Sequence, residues 1–167
     1  METLYYTFLK TPIGELLIAS SDKNLVRIIL PKEGASDLFS RLKKDFPRAN
    51  LIRDAGKNQK ACQELLEYFH GARTSFTVPL DLRGTEFQQS VWKAVARVPY
   101  GKTSSYGEIA RKIGKPKACR AVGNANRANP IPIVIPCHRI LGSDGSLTGF
   151  GGGIHLKEKL LNLENNS

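Results

Sequence analysis

The sequence lacks most of the features that mark membrane, disulfide-stapled or metal-binding proteins. No apolar stretch approaches the roughly 20 residues a helical membrane span requires. The polar start METLYYTFLK has no export-signal pattern. The only cysteines, Cys62, Cys119 and Cys137, lie far apart and are odd in number, so neither a disulfide framework nor a C-x-x-C metal pair can be read from them. His70, His138 and His155 add no ligand pair at zinc-finger spacing. The glycine run 149–153 is not part of a G-x-x-x-x-G-K-[ST] phosphate loop. No metal and no cofactor are therefore expected. A protein of the reducing cytoplasm, where a free thiol persists, is the reading these absences leave.

Acidic residues are also scarce, 15 against 25 Lys and Arg, for a formal charge of +10. The excess is uneven: residues 1–83 hold 13 basic and 10 acidic groups, and residues 84–167 hold 12 and 5. Between 102 and 127 seven basic residues (Lys102, Arg111, Lys112, Lys115, Lys117, Arg120, Arg127) face Glu108 alone. Such a stripe suits a polyanion such as nucleic acid. A solvated basic face without a partner explains the charge equally well.

At 167 residues and 41% hydrophobic content, the chain suffices for one ordinary domain or two small ones. Residues 4–10, 15–20 and 24–30 alternate in the manner of strands and are separated by turn signals at Pro12-Ile13-Gly14 and 21–24, predicting antiparallel hairpins. Helical spacing follows over 35–46 and 58–70, closed by Gly71. The piece Phe76 to Leu82 contains Pro79 and reads as an edge strand or linker. A boundary near Arg83 divides the chain into 1–83 and 84–167.

The second part reads as short helices. Thr85-x-x-Gln88 is a capping box opening a helix through Val98, and Ser105-x-x-Glu108 opens another that ends near Gly114. Pro116 at a first helical position predicts a third helix to about Arg127. The last two form a helix-turn-helix pattern. Ile131 to Pro136 is apolar and proline-flanked, and predicts a buried strand-like rod that delivers Cys137. A loop, Gly142-Ser143-Asp144-Gly145, precedes the glycine run. A final helix is expected over about Ile154 to Leu163, with Leu156, Leu160 and Leu163 on its apolar face.

Cys137-His138-Arg139 is the combination that carries chemistry. Thiolate, not thiol, is the nucleophile, and a neighbouring base or cation is needed to form it. His138 could take the proton directly or through water, and a carboxylate fixing its tautomer would complete a relay. Neighbours on an extended chain point opposite ways, so a turn or a bridging water is required. A buried cysteine that merely packs is the bland alternative. It fits Cys62, on an apolar helical face, better than Cys137, between a proline and two polar side chains. Cys119 is open to both readings.

The run Arg120-Ala-Val-Gly-Asn-Ala-Asn-Arg127-Ala-Asn129-Pro-Ile-Pro-Ile-Val-Ile-Pro-Cys137-His-Arg-Ile resembles the active-site region of the O6-alkylguanine-DNA alkyltransferases. The likeness extends through Phe87-Gln88-x-x-Val91-Trp92, Pro99-Tyr100-Gly101-x-Thr103-x-Ser105-Tyr106-Gly107 and Lys157-x-x-Leu160-Leu161-x-x-Glu164. The first half agrees only in its strand-then-helix layout.

That resemblance implies an α+β fold. An N-terminal antiparallel sheet with helices, ribonuclease H-like, is joined to a C-terminal winged-helix or helix-turn-helix domain. It also implies irreversible transfer of an alkyl group from O6-alkylguanine in duplex DNA, with O4-alkylthymine a plausible second substrate, to Cys137 of a monomeric protein.

His138 then matches the activating histidine and Glu164 the acid that orients it; together they are expected to maintain thiolate at neutral pH. Asn129 matches the asparagine that braces the turn joining the recognition helix to the active-site strand. Arg120 matches the finger that replaces the flipped base, and Tyr106 the tyrosine that presses on the target phosphate and can donate to guanine N3. Arg127 and Ser143 fall on the DNA-contacting side. Ile140, Phe150 and Gly151 would line the pocket, the last two standing where some relatives have tyrosine and serine. Two rivals remain: a lesion-binding module of the same fold without transfer, and a cysteine hydrolase using Cys137, His138 and Glu164.

Overall fold

The computed structural model describes residues 1–165 except Glu33, Ala35, Gly149 and Gly151. Two compact units divide the chain, Met1–Leu82 and Arg83–Ser167.

The first unit is built on a four-stranded sheet of β1 (Thr3–Thr11), β2 (Gly14–Ser20), β3 (Leu25–Ile29) and β4 (Asn50–Arg53), in the order β3-β2-β1-β4. The two hairpins anticipated from alternation are present, β1 with β2 and β2 with β3 antiparallel. β4 adds to the sheet in parallel with β1, pairing Thr3 to Tyr6 with Asn50 to Arg53. This strand was not anticipated: four mostly exposed residues at a sheet edge carry little alternation of their own. β2 is buried from Leu16 to Ser20, so both of its faces are covered.

On one face Leu17, Ala19 and Ile29 pack with Leu42 of α1 (Leu38–Asp45), which Asp37 caps by accepting from the Ser40 N–H at 2.9 Å. α2 (Gln59–Phe69) buries Leu65, Tyr68 and Phe69. Its Glu64, also buried, accepts from the N–H groups of Thr77 and Val78 at 2.9 and 3.0 Å. That anchors the Phe76–Leu82 piece, which lies parallel to β3 through Leu25 N–H to Pro79 O and Asp81 N–H to Leu25 O, both 2.8 Å. Pro79 offers only its carbonyl, as a proline at a sheet edge must.

The second unit is helical. α3 (Glu86–Ala96) opens with the anticipated capping box, Thr85 and Gln88 bonding reciprocally to each other's backbone. Its Trp92 is buried, donates to the Ala125 carbonyl at 2.8 Å, and lies against Gly84 so closely that a Cβ there would meet the ring at 2.5 Å. The short strand β5 (Ser104–Ser105) leads into α4 (Tyr106–Lys112). Ser105 caps α4, but the box is only half formed, because Glu108 turns to accept from Ser104 Oγ at 3.0 Å instead.

α5 (Cys119–Arg127) starts three residues after Pro116. That proline occupies a tight turn closed by Ala118 N–H to Lys115 O at 2.9 Å, the other position for which its fixed φ suits it. β6 (Ile140–Leu141) pairs in parallel with β5. α6 runs Ile154–Asn165 and buries Leu156, Lys157, Leu160 and Glu164. The buried stripe thus carries two charged residues and leaves Leu163 only half-buried at its margin.

Candidate active site

The anticipated rod before Cys137 is instead a turn. Ile135 N–H reaches back to Ile131 O at 2.9 Å, and Ile133 sits at φ +74°. A β-branched residue rarely occupies this left-handed region, which costs on the order of 1–3 kcal/mol unless its surroundings enforce it. The enforcing group is Asn129. Its Nδ2 donates to Ile135 O at 2.8 Å and its Oδ1 accepts from Ile131 N–H at 3.0 Å, so one buried amide spans the turn.

The chain then enters a single 3-10 turn, Cys137–Arg139, whose three side chains are all buried. Asn126 of α5 donates to the Cys137 carbonyl at 3.2 Å, tying the basic helix to the cysteine backbone.

His138 Nε2 lies 2.6 Å from Glu164 Oε2, both side chains being enclosed. Nε2 therefore carries the hydrogen and donates, leaving the lone pair on Nδ1. Nδ1 is buried and has no protein partner among the described residues. Arg139 completes the row: Nε and Nη2 bond the two Glu164 oxygens at 2.8 and 3.0 Å, and Nη1 bonds Val98 O at 2.7 Å. Gly101, whose φ of +76° requires glycine in the Pro99–Lys102 turn, directs its N–H at Glu164 Oε1 at 3.3 Å.

Electrostatics alters one expectation. Burial pushes the Cys137 thiol up to about 11, against the opposing pull of the Asn129 hydrogen bond, the Lys157 charge and the backbone N–H groups of Cys137 and His138. Burial likewise lowers His138, Glu164 pulling the other way and Arg139 and Lys157 adding to the fall. Both shifts favour the neutral forms, the opposite direction to the standing thiolate expected above, so that release of the thiol proton would fall to the moment of transfer.

Of the pocket residues, Tyr106 and Phe150 are both 8% exposed and Ile140 is fully buried. Gly151 lies outside the described residues. The Tyr106 hydroxyl donates to Thr148 O at 2.6 Å, and Lys157 Nζ donates to the same carbonyl at 2.7 Å and to Ile140 O. Arg120 and Arg127 are exposed on α5, and Ser143 is exposed in the loop after β6, away from the buried row. All seven basic residues of 102–127 are exposed.

Three residues of the site went unassigned in the sequence: Asn126, Arg139 and Lys157. Lys157 was within reach, since its spacing to Leu160 and Glu164 is that of one helical face.

A buried cysteine beside an imidazole–carboxylate–guanidinium row, carried by a unit with an exposed basic helix-turn-helix, defines a reactive-cysteine protein of the nucleic-acid-facing kind. The ribonuclease-like domain of 6-O-methylguanine DNA methyltransferase matches residues 4–82, and the DNA-binding domain of the same family matches residues 86–166. The chain belongs to this family.

A methylated-DNA–protein-cysteine methyltransferase of Methanosarcina barkeri is 44% identical over 98% of this chain and 99% of its own length. The inducible one of Bacillus subtilis is 44% identical over 97% and 90%. A crystal structure of Mycobacterium tuberculosis OGT in complex with DNA superposes with a TM-score of 0.85 at 45% identity, covering 97% of this chain and 93% of that one.

Proposed function

We propose that the protein repairs DNA directly as a methylated-DNA–protein-cysteine methyltransferase, moving an alkyl group from O6 of guanine, and plausibly O4 of thymine, onto its own Cys137. The observation that carries the reading is the enclosed row Glu164–His138, with its 2.6 Å bond and an Nδ1 that has no partner among the described residues, adjacent in sequence to Cys137 in the unit that bears the basic helix-turn-helix.

A base stacked in a duplex cannot reach a buried sulfur, so the target nucleotide must be extruded into the pocket. Arg120 fills the gap left behind, while Tyr106 crowds the phosphate and Arg127 and Ser143 hold the backbone. Ile140, Phe150 and Gly151 border the base. The thiol proton passes to His138 Nδ1, directly or through water, as the sulfur attacks the alkyl carbon. The bond from that carbon to O6 breaks and guanine leaves with the electron pair, taking a proton from a donor such as the Tyr106 hydroxyl. Glu164 stabilises the imidazolium. Since the thioether is not hydrolysed, each molecule acts once. No further group is required, because guanine itself is the leaving group. The protein acts as a monomer in the reducing cytoplasm, which suits a free thiol; among the described residues no helix is long and apolar enough to cross a membrane.

Burial of Cys137, 4% exposed, favours a second reading, a module that binds the lesion without transfer. One measurement separates them. Mixed with duplex containing O6-methylguanine, the intact protein should gain roughly 14 Da, confined to the peptide bearing Cys137. Tight binding with unchanged mass would leave the second reading standing.

A further inference from the structure

The proposed chemistry uses His138 as base and Glu164 as its orienting acid, but assigns nothing to the guanidinium that grips the same carboxylate. Arg139 is 5% exposed, and its Nε, Nη1 and Nη2 are each spent on a named acceptor. Its Cζ lies 5.6 Å from the centre of the Tyr100 ring. Two parallel N–H···O bonds to one carboxylate fix that group in plane as well as in position. A carboxylate facing only an imidazole at 2.6 Å would compete for the Nε2 hydrogen. Facing a guanidinium as well, it remains an acceptor, because moving a proton onto it would uncover a buried cation.

We propose that Arg139 is a positioning residue for transfer: by locking both Glu164 oxygens it keeps the hydrogen on His138 Nε2 and the basic lone pair on Nδ1. This rests on the alkyl-transfer reading above.

The groups facing this imidazole come from several elements. α6 contributes Glu164 and Lys157, and the 3-10 turn contributes Arg139. Tyr106 of α4 lies against Lys157, its ring centre 5.9 Å from Nζ, and the Pro99–Lys102 turn adds the Gly101 N–H. Glu164 raises the proton affinity of His138, whereas Arg139 and Lys157 lower it. Removing Arg139 and removing Glu164 must therefore move His138 in opposite directions, which separates a tuning role from a structural one. If Arg139 merely held Glu164 in place, its loss would resemble loss of Glu164.

The test is the rate of transfer from free O6-benzylguanine against pH, followed by intact mass, for wild type, Arg139→Met, Arg139→Lys and Glu164→Gln. Arg139→Met should slow transfer at least about tenfold and shift the acid limb of the profile upward by about one pH unit. Glu164→Gln should shift that limb downward. Arg139→Lys keeps the charge without the fork, so its limb should stay at the wild-type position while the rate falls. A downward or absent shift in Arg139→Met overturns the proposal.

Should Arg139→Met not fold, nitrogen-15 NMR of His138 in wild type and Arg139→Lys decides instead. Neutral imidazole with hydrogen on Nε2 is expected at pH 7 in wild type, and in Arg139→Lys, which keeps the charge but not the fork, a neutral imidazole with a share of the other tautomer. Indistinguishable spectra overturn it. If wild type itself gains no mass from either O6-methylguanine duplex or free base, the alkyl-transfer reading fails, whatever the spectra of Arg139 variants show.

Discussion

Among the described residues each unit buries one carboxylate on a helix, Glu64 and Glu164, and the two are surrounded in opposite ways. Glu64 of α2 is met by the Thr77 hydroxyl and two backbone N–H groups, with Arg73 at its margin 3.4 Å away. Burial raises its proton affinity, but the Thr77 and Val78 hydrogen bonds and the Arg73 charge outweigh that, and the net shift is downward. Glu164 of α6 is met by a buried imidazole and a buried guanidinium. The first set of neighbours has nothing to exchange near neutral pH and fastens a chain segment. The second includes an imidazole, whose proton affinity burial lowers and whose far nitrogen has no hydrogen-bond partner among the described residues. A buried acid is thus a strut or a chemical part according to whether its partner can change charge.

Breaking the chemical side should give the largest effect. Cys137→Ala should lose all transfer by intact mass while binding duplex normally; alkylation of Cys62 or Cys119 in that variant would misplace the acceptor. Exchanging the two acids tests the comparison itself. Glu164→Gln should reduce transfer by roughly 10²-fold or more, the range for loss of assisted proton transfer. Glu64→Gln should leave transfer per folded molecule nearly unchanged but lower unfolding free energy by about 1–3 kcal/mol in denaturant titrations. Equal kinetic effects from the two would erase the distinction.

Next in size is Arg120→Ala, exposed on α5. It should slow repair of duplex about tenfold or more, yet react normally with free O6-benzylguanine, which needs no extrusion. Equal slowing on both would make it a pocket or folding residue.

Acid stability should separate the units by pH. His138 is lowered on folding, so its contribution is complete above the unfolded value of about 6.5 and declines as pH falls through the lower folded value. Glu64 is also lowered, so its contribution is lost only from about pH 4.3 downward. Hydrogen exchange between pH 7 and 5 should loosen residues 83–165 before 1–82; the reverse order would contradict the assignment. The smallest effect is expected at the surface, where Lys112→Ala or Lys117→Ala should weaken duplex binding and flatten its salt slope by about one unit each.

Legibility from sequence followed how local the cause of each feature was. The hairpins and the Thr85–Gln88 box were readable because their signals lie within a few residues of one another. β4 was not, since Asn50–Arg53 becomes a strand by pairing with β1 rather than by its own pattern. The turn at 131–135 was also hidden. No glycine marks it, and its left-handed residue, Ile133, is held there by the Asn129 side chain. Cys137 and His138 were readable from the residues themselves and Glu164 only through resemblance, and the geometry puts His138 and Glu164 in contact. Arg139, adjacent to His138 in sequence, was given no role because its meaning lies in a carboxylate 25 residues away.

The Thr148 carbonyl accepts both the Tyr106 hydroxyl and the Lys157 ammonium. Displacement of that one oxygen would release the phenolic donor from it and leave the ammonium held by the Ile140 carbonyl. A ligand that took the place of that oxygen would meet a hydroxyl and an ammonium already aimed at one point.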